Sequence, residues 1–146
     1  MKTLLLALGL LLLGPIGPVQ AETHIDMDII AQIESSGNPG AISYRGAKYG
    51  RGLCQISEIC LADYNAHVIE GELFYLEDLF DAIVNLHIAD WYMNKRIPAM
   101  LQYFGIEDNT TNRLWAYNAG IGRARDGVMP EETKKYIEKY FRLLDK

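Results

Sequence analysis

The chain writes a helix and then stops it abruptly, and that stop limits what it can fold into more than any other feature. Asp26-Met27-Asp28-Ile29-Ile30-Ala31-Gln32-Ile33 puts apolar side chains at 29, 30 and 33, the spacing of a buried helical stripe. Ser36-Gly37-Asn38-Pro39-Gly40 follows. Glycine supplies positive φ and Pro39 pushes Asn38 out of the α region, so the backbone must turn here. The last turn carries Glu34, where the helix macrodipole is negative and an ionised carboxylate is disfavoured. A helix end serving structure alone would favour Lys or Arg. A partly buried carboxyl at this position would hold its proton near neutral pH, as a general acid requires; the alternative is a solvated Glu at a fraying helix end.

The rest of the sequence reads as predominantly helical. Ser57 is placed to cap a helix reaching about His67. Leu76-Glu77-Asp78 begins another, with Leu79, Ile83, Leu86 and Asp90 continuing at helical spacing to about Asn94. Ile97-Pro98 starts a short helix closed by Gly105, and Thr110 or Thr111 caps one from Asn112 to Asn118, ended by Ala119-Gly120. Pro130-Glu131-Glu132 opens the last helix, with Tyr136, Ile137, Tyr140, Phe141 and Leu144 as its apolar stripe. Tyr44 to Leu53, rich in Gly and Tyr, is either an irregular loop or a small hairpin. With no repeat, low-complexity segment or linker, the expectation is one all-α domain.

Residues 1–21 carry the pattern of a secretory signal: Lys2, an apolar run from Leu4 to Leu13, a Gly14-Pro15 break and a Val19-Gln20-Ala21 cleavage site. Residues 22–146 would then be the exported domain, periplasmic or extracellular, without stable membrane insertion. Cleavage lowers Lys plus Arg from 14 to 13 against 19 acids, so the formal charge moves from −5 to −6. That acidity argues against nucleic acid or an anionic membrane as partner.

Cys54 and Cys60 are the two cysteines of the chain. On one continuous helix their Cα atoms would stand about 9 Å apart, too far for a disulfide. If Ser57 caps a helix and Cys54 lies in the approach to it, a bridge is feasible; otherwise both are small buried side chains. Histidines 24, 67 and 87 are scattered, so neither metal nor cofactor is expected. Gly50-Arg51-Gly52 and Gly120-Ile121-Gly122 lack the Lys and the preceding strand of a phosphate loop, and no Gly-x-Ser-x-Gly elbow is present. Chemistry is left to carboxylates, amides and phenols.

Four segments in order then carry a resemblance: Glu34-Ser35 with the Asn38-Pro39 turn, Gly52-Leu53-Cys54-Gln55-Ile56, Ala116-Tyr117-Asn118-Ala119-Gly120, and Glu132-Thr133 ahead of Tyr136. Over about residues 26 to 140 the chain resembles the catalytic domain of the soluble lytic transglycosylases (SLT), in the lysozyme-like superfamily. The resemblance implies a helical domain with a substrate cleft, acting on peptidoglycan glycan strands. It implies Glu34 as catalytic acid and then base, Ser35 holding or orienting it, and Tyr136 donating towards it. Gln55 and Asn118 would bind saccharide near the cleaved bond, Gly52 would let sugar approach the backbone, and Tyr117 would form a wall. Cys54 stands where the family usually has Met, which puts the shape of a subsite in question.

Glycosidases with two catalytic carboxylates hold them about 5 to 9.5 Å apart. Between Ser35 and Ser57 the chain has no Asp or Glu, which suits a one-carboxylate, substrate-assisted cleavage leaving 1,6-anhydromuramic ends. Two rivals stand beside this expectation. A goose-type lysozyme would hydrolyse the same bond using Asp63 or Asp126 to hold water, and a non-catalytic wall-binding or assembly protein would keep the cleft alone. A monomer is the expected working form; the sequence leaves open whether it serves wall recycling, a cell-envelope secretion or pilus complex, or a phage.

Overall fold

The computed structural model describes residues 23–45, 48–69 and 73–146; the expected signal at 1–21 lies outside them. The chain is mostly helical, with one small antiparallel sheet. Asp26 caps α1 (Met27–Ser35), its carboxylate accepting from the Asp28 N–H at 2.9 Å. The expected stop is there. Ser36 turns left-handed at φ 56°, and the Ser35 hydroxyl donates back to the Ala31 carbonyl while accepting from the Asn38 N–H.

The Gly- and Tyr-rich segment is a hairpin. β1 (Ile42–Arg45) pairs with β2 (Lys48–Arg51), which pairs with the short β3 (Ile56–Ser57). Ser57 then caps α2 (Glu58–His67) as expected. The helix predicted from Leu76 to Asn94 is divided. A 3-10 turn spans Glu77–Phe80, and Asp81 leaves the helical conformation to cap α3 (Ala82–Trp91), accepting from Ile83 and Val84. An Asp side chain competes in this way with helix continuation.

The break expected before Ile97-Pro98 does not occur. A π-helical turn at Tyr92–Arg96 joins α3 to α4 (Ile97–Tyr103), with the Ile97 N–H reaching the Tyr92 carbonyl five residues back. Widening the helix there accommodates a proline one residue later without ending it. α5 (Thr110–Ala119) is capped by Asn109 rather than by a threonine. α6 (Ile121–Arg125) follows at once, and Pro130 is itself the residue flanking α7 (Glu131–Leu144).

The core joins α1, α3, α4, α5 and α7 through Ile30, Ile88, Ile97, Leu101, Leu114 and Tyr140, all essentially inaccessible. Three polar side chains are buried with them among the described residues, Asn85, Arg113 and Thr133, and Asn85 on α3 is 0% exposed. Its Oδ1 accepts from the Cys54 N–H at 2.8 Å, and its Nδ2 donates to the Arg51 and Leu79 carbonyls, each at 2.8 Å. Gly52, at φ 75°, passes so close that a Cβ there would stand 2.1 Å from the Leu79 carbonyl oxygen. The sheet-to-helix loop is thus bolted to the helical core by one amide. Asn85→Ala would remove the side-chain partner of the buried Cys54 N–H and of the Leu79 and Arg51 carbonyls, and is expected to lower stability by about 3 kcal/mol, read from urea unfolding midpoints.

Candidate active site

A cavity of about 370 Å³ opens between the end of α1, the hairpin, the start of α2, the π turn and the α5–α6 junction. That lies near the lower end of the range of about 300–1,000 Å³ usual for ligand sites. Glu34 enters it from the last turn of α1, half-buried, and is the one carboxylate among the described residues lining it. Asn118 enters from the last turn of α5. Gly120, at φ 90°, then lets the chain pass directly from α5 into α6, so that Ala119 to Gly122 form a wall. Two helix C-termini therefore face the same space.

The Asn118 amide has a fixed orientation. Thr133 of α7, fully buried, donates its hydroxyl to Asn118 Oδ1 at 2.8 Å. With the carbonyl end held, Nδ2 is the end left to donate to a ligand. Thr133 belongs to the Glu132-Thr133 motif, but the motif by itself does not point to this contact.

Gln55 also lines the cavity, in a left-handed conformation (φ 53°) that a residue with a side chain adopts at a cost. Its amide is engaged within the loop. Nε2 donates to the Ala41 and Gly52 carbonyls at 3.2 and 2.9 Å, and Oε1 accepts from the Ser43 hydroxyl at 2.5 Å. What remains for a saccharide is one lone pair on Oε1. Gly52 is buried under Asn85 and Leu79 and does not line the cavity; Gly50 does.

Tyr117 is a wall residue, and its hydroxyl donates to the Cys54 carbonyl at 2.8 Å. Burial raises its pKa well above the ordinary value, with further contributions from Cys54, Glu34 and Tyr136. Tyr136 is buried on α7 and lies outside the cavity lining. The Ser35 hydroxyl bonds to backbone within α1 and in the turn that follows it. Ser43, Tyr49 and Tyr92 also line the cavity and were not singled out from sequence. Ser43 and Tyr49 lie in the flagged Gly- and Tyr-rich stretch, whereas Tyr92 is turned inward by a π turn that leaves no sequence signal.

The cysteines do not pair: Cys54 and Cys60 are both free thiols and both buried. Ser57 does cap α2, which met the condition for a bridge, yet the Cys54 backbone is held by Asn85 and Tyr117 instead. Among the described residues no three of His, Cys, Asp and Glu gather as a metal ion would need, and no helix is long and apolar enough to cross a membrane.

Residues 27–140 match the family model for the transglycosylase SLT domain. The chain belongs to that family. At the level of the SLT family the activity is peptidoglycan cleavage of the lytic transglycosylase type, on a helical, lysozyme-like domain. No curated protein and no solved structure matches the chain.

Burial pushes the Cys54 thiol up to about 12, with Glu34 and Asp28 adding to the rise, and burial pushes the Tyr92 phenol to about 12. Cys60 is raised as well, chiefly by burial. These groups keep their protons in the folded SLT domain after the unfolded chain has begun to lose its own. Their contribution is complete below the ordinary thiol value and is lost as pH rises from about 9 towards 12. Urea midpoints should fall across that window, and Cys54→Ala should flatten the decline.

Proposed function

We propose that this protein is a lytic transglycosylase of the cell envelope that cuts the β-1,4 bond between N-acetylmuramic acid and N-acetylglucosamine and leaves a 1,6-anhydromuramic end. The observation that carries the reading is the solitary carboxylate: Glu34 lines the cavity with no other acid from the described residues. Asp63 is bonded to Arg96 at 2.8 Å, and Asp126 pairs with Arg125 on the outer end of α6. Neither reaches the cavity lining, so the water-holding partner a hydrolase would need has no candidate among them.

One carboxyl suffices if the substrate supplies the other groups. Glu34, at the negative end of α1, delivers its proton to the glycosidic oxygen, and the bond from C1 to the leaving sugar breaks. The muramic 2-acetamido carbonyl oxygen bonds to C1 from the opposite face and carries the charge. Glu34, now ionised, takes the proton of the 6-hydroxyl; O6 bonds to C1 as the acetamide oxygen departs. Protons and bonds balance without water. The attack is intramolecular and gains from high effective molarity.

In this scheme Asn118 Nδ2 donates to the acetamide carbonyl, and Thr133 keeps the amide from turning over. Gln55 accepts one hydrogen bond from the sugar, Tyr117 is a wall, and Tyr136 donates towards Glu34. Ile56, Ile59, Tyr92 and Ile121 give the cavity apolar walls that help exclude competing water. The working compartment is outside the cytoplasm, reached after removal of residues 1–21.

Mass spectrometry of products released from purified peptidoglycan tests this. Muropeptides lighter by one water, lost by at least about 100-fold with Glu34→Gln, are expected. Reducing muramic ends would replace the reading with hydrolysis, and no release by the native protein would remove the enzyme reading. Thr133→Val is expected to lower kcat about 10- to 100-fold through a misplaced Asn118, with Thr133→Ser retaining most activity.

A further inference from the structure

The hairpin presents an aromatic face outside the cavity. Alternate residues of a strand share a face, and the register pairs Ile42 with Arg51 and Tyr44 with Tyr49. On that face Tyr44 is 71% exposed, Ile42 49% and Tyr49 40%. The Tyr44 and Tyr49 rings meet edge to face with centroids 4.8 Å apart, and the Arg51 guanidinium carbon lies 5.6 Å from the Tyr49 ring centre. Arg51 is itself bonded to Glu58 at 3.1 Å. The rings are thus held in place while exposed, a state that favours burial by a ligand.

The face is continuous with the cavity, because Tyr49 also lines it. A glycan strand is far longer than a cavity of about 370 Å³, so sugars flanking the cleaved bond must run out over a neighbouring surface. A pyranose ring offers a flat C–H face and a rim of hydroxyls, which suits a tyrosine ring with its polar tip. A tyrosine also loses little conformational entropy on binding. We propose that Tyr44, backed by Tyr49, is a stacking platform for a sugar beyond the cavity, adding affinity for longer glycan strands. The proposal rests on the glycan-cleaving reading of the cavity.

Calorimetry with peptide-free glycan strands of increasing length, bound to the Glu34→Gln protein with and without Tyr44→Ala, tests it. Affinity is expected to rise once the strand reaches the hairpin. Tyr44→Ala should remove only that increment, about 3- to 10-fold, while Tyr44→Phe keeps it. Equal weakening at every length, or no effect, overturns the platform and leaves the proposed reaction standing. Binding at no length overturns both. A gain seen only with peptide-bearing strands would make a stem peptide the occupant. Self-association abolished by Tyr44→Ala in sedimentation would make it a second copy of the chain. Either result overturns the proposal.

Discussion

The site depends on one buried amide. Asn85 spends both of its donor hydrogens and an acceptor on backbone of the segment leading from the hairpin to α2 and of the turn before α3. An unpaired amide at zero exposure would cost several kcal/mol; fully bonded, it specifies one position for that loop. Gly52 is required because the loop passes over Asn85 at a distance that leaves no room for a Cβ. Gln55 can then turn left-handed and reach back to Ala41, Ser43 and Gly52. The hairpin edge that walls the cavity follows from that sequence of constraints.

A second set of bonds places the acid. The segment before α1 is held by helices distant in sequence: Asn94 exchanges two hydrogen bonds with Ile25, and the Tyr140 hydroxyl accepts from the Asp26 N–H at 3.0 Å. Arg113, buried, grips Asp108 with two parallel bonds and also donates to the Thr23 carbonyl. Charge-assisted, two-pronged bonds of this kind fix direction as well as distance. They set the axis of α1, and so the place where its last turn delivers Glu34. α7 contributes at both ends of the site, through Tyr140 at the start of α1 and Thr133 at Asn118.

These two sets of bonds mark what the sequence could and could not reveal. Local signals were legible: α1 and its stop, the Ser57 cap, the hairpin as one of two alternatives, the last helix, and Glu34 as an acid in an unusual place. Each rests on neighbours within a few residues. Asn85 was invisible because it looks like any polar residue in a helical pattern until its partners 31 and 34 residues away are known. Tyr92 was missed because a π turn changes which face a side chain takes, and the 3.6-residue period assumes no such turn. The resemblance named Gln55 and Gly52 as sugar contacts. The fold employs most of the first and all of the second in building the loop.

The same bonds explain why a cysteine can stand at position 54, where the resemblance implies methionine. The fold uses the backbone there: its N–H goes to Asn85 and its carbonyl receives the Tyr117 hydroxyl. The side chain only fills space, at zero exposure, and Cys54 does not line the cavity although Cys60 does. A shorter side chain therefore changes packing beneath the loop while leaving the positions of Gln55 and Tyr117 to hydrogen bonds that do not involve it. Burial keeps the thiol protonated, which suits a small apolar filler and removes the thiolate needed for exchange chemistry. The cysteine is thus absorbed below the cavity, and Glu34 keeps its place in the cavity lining at the end of α1.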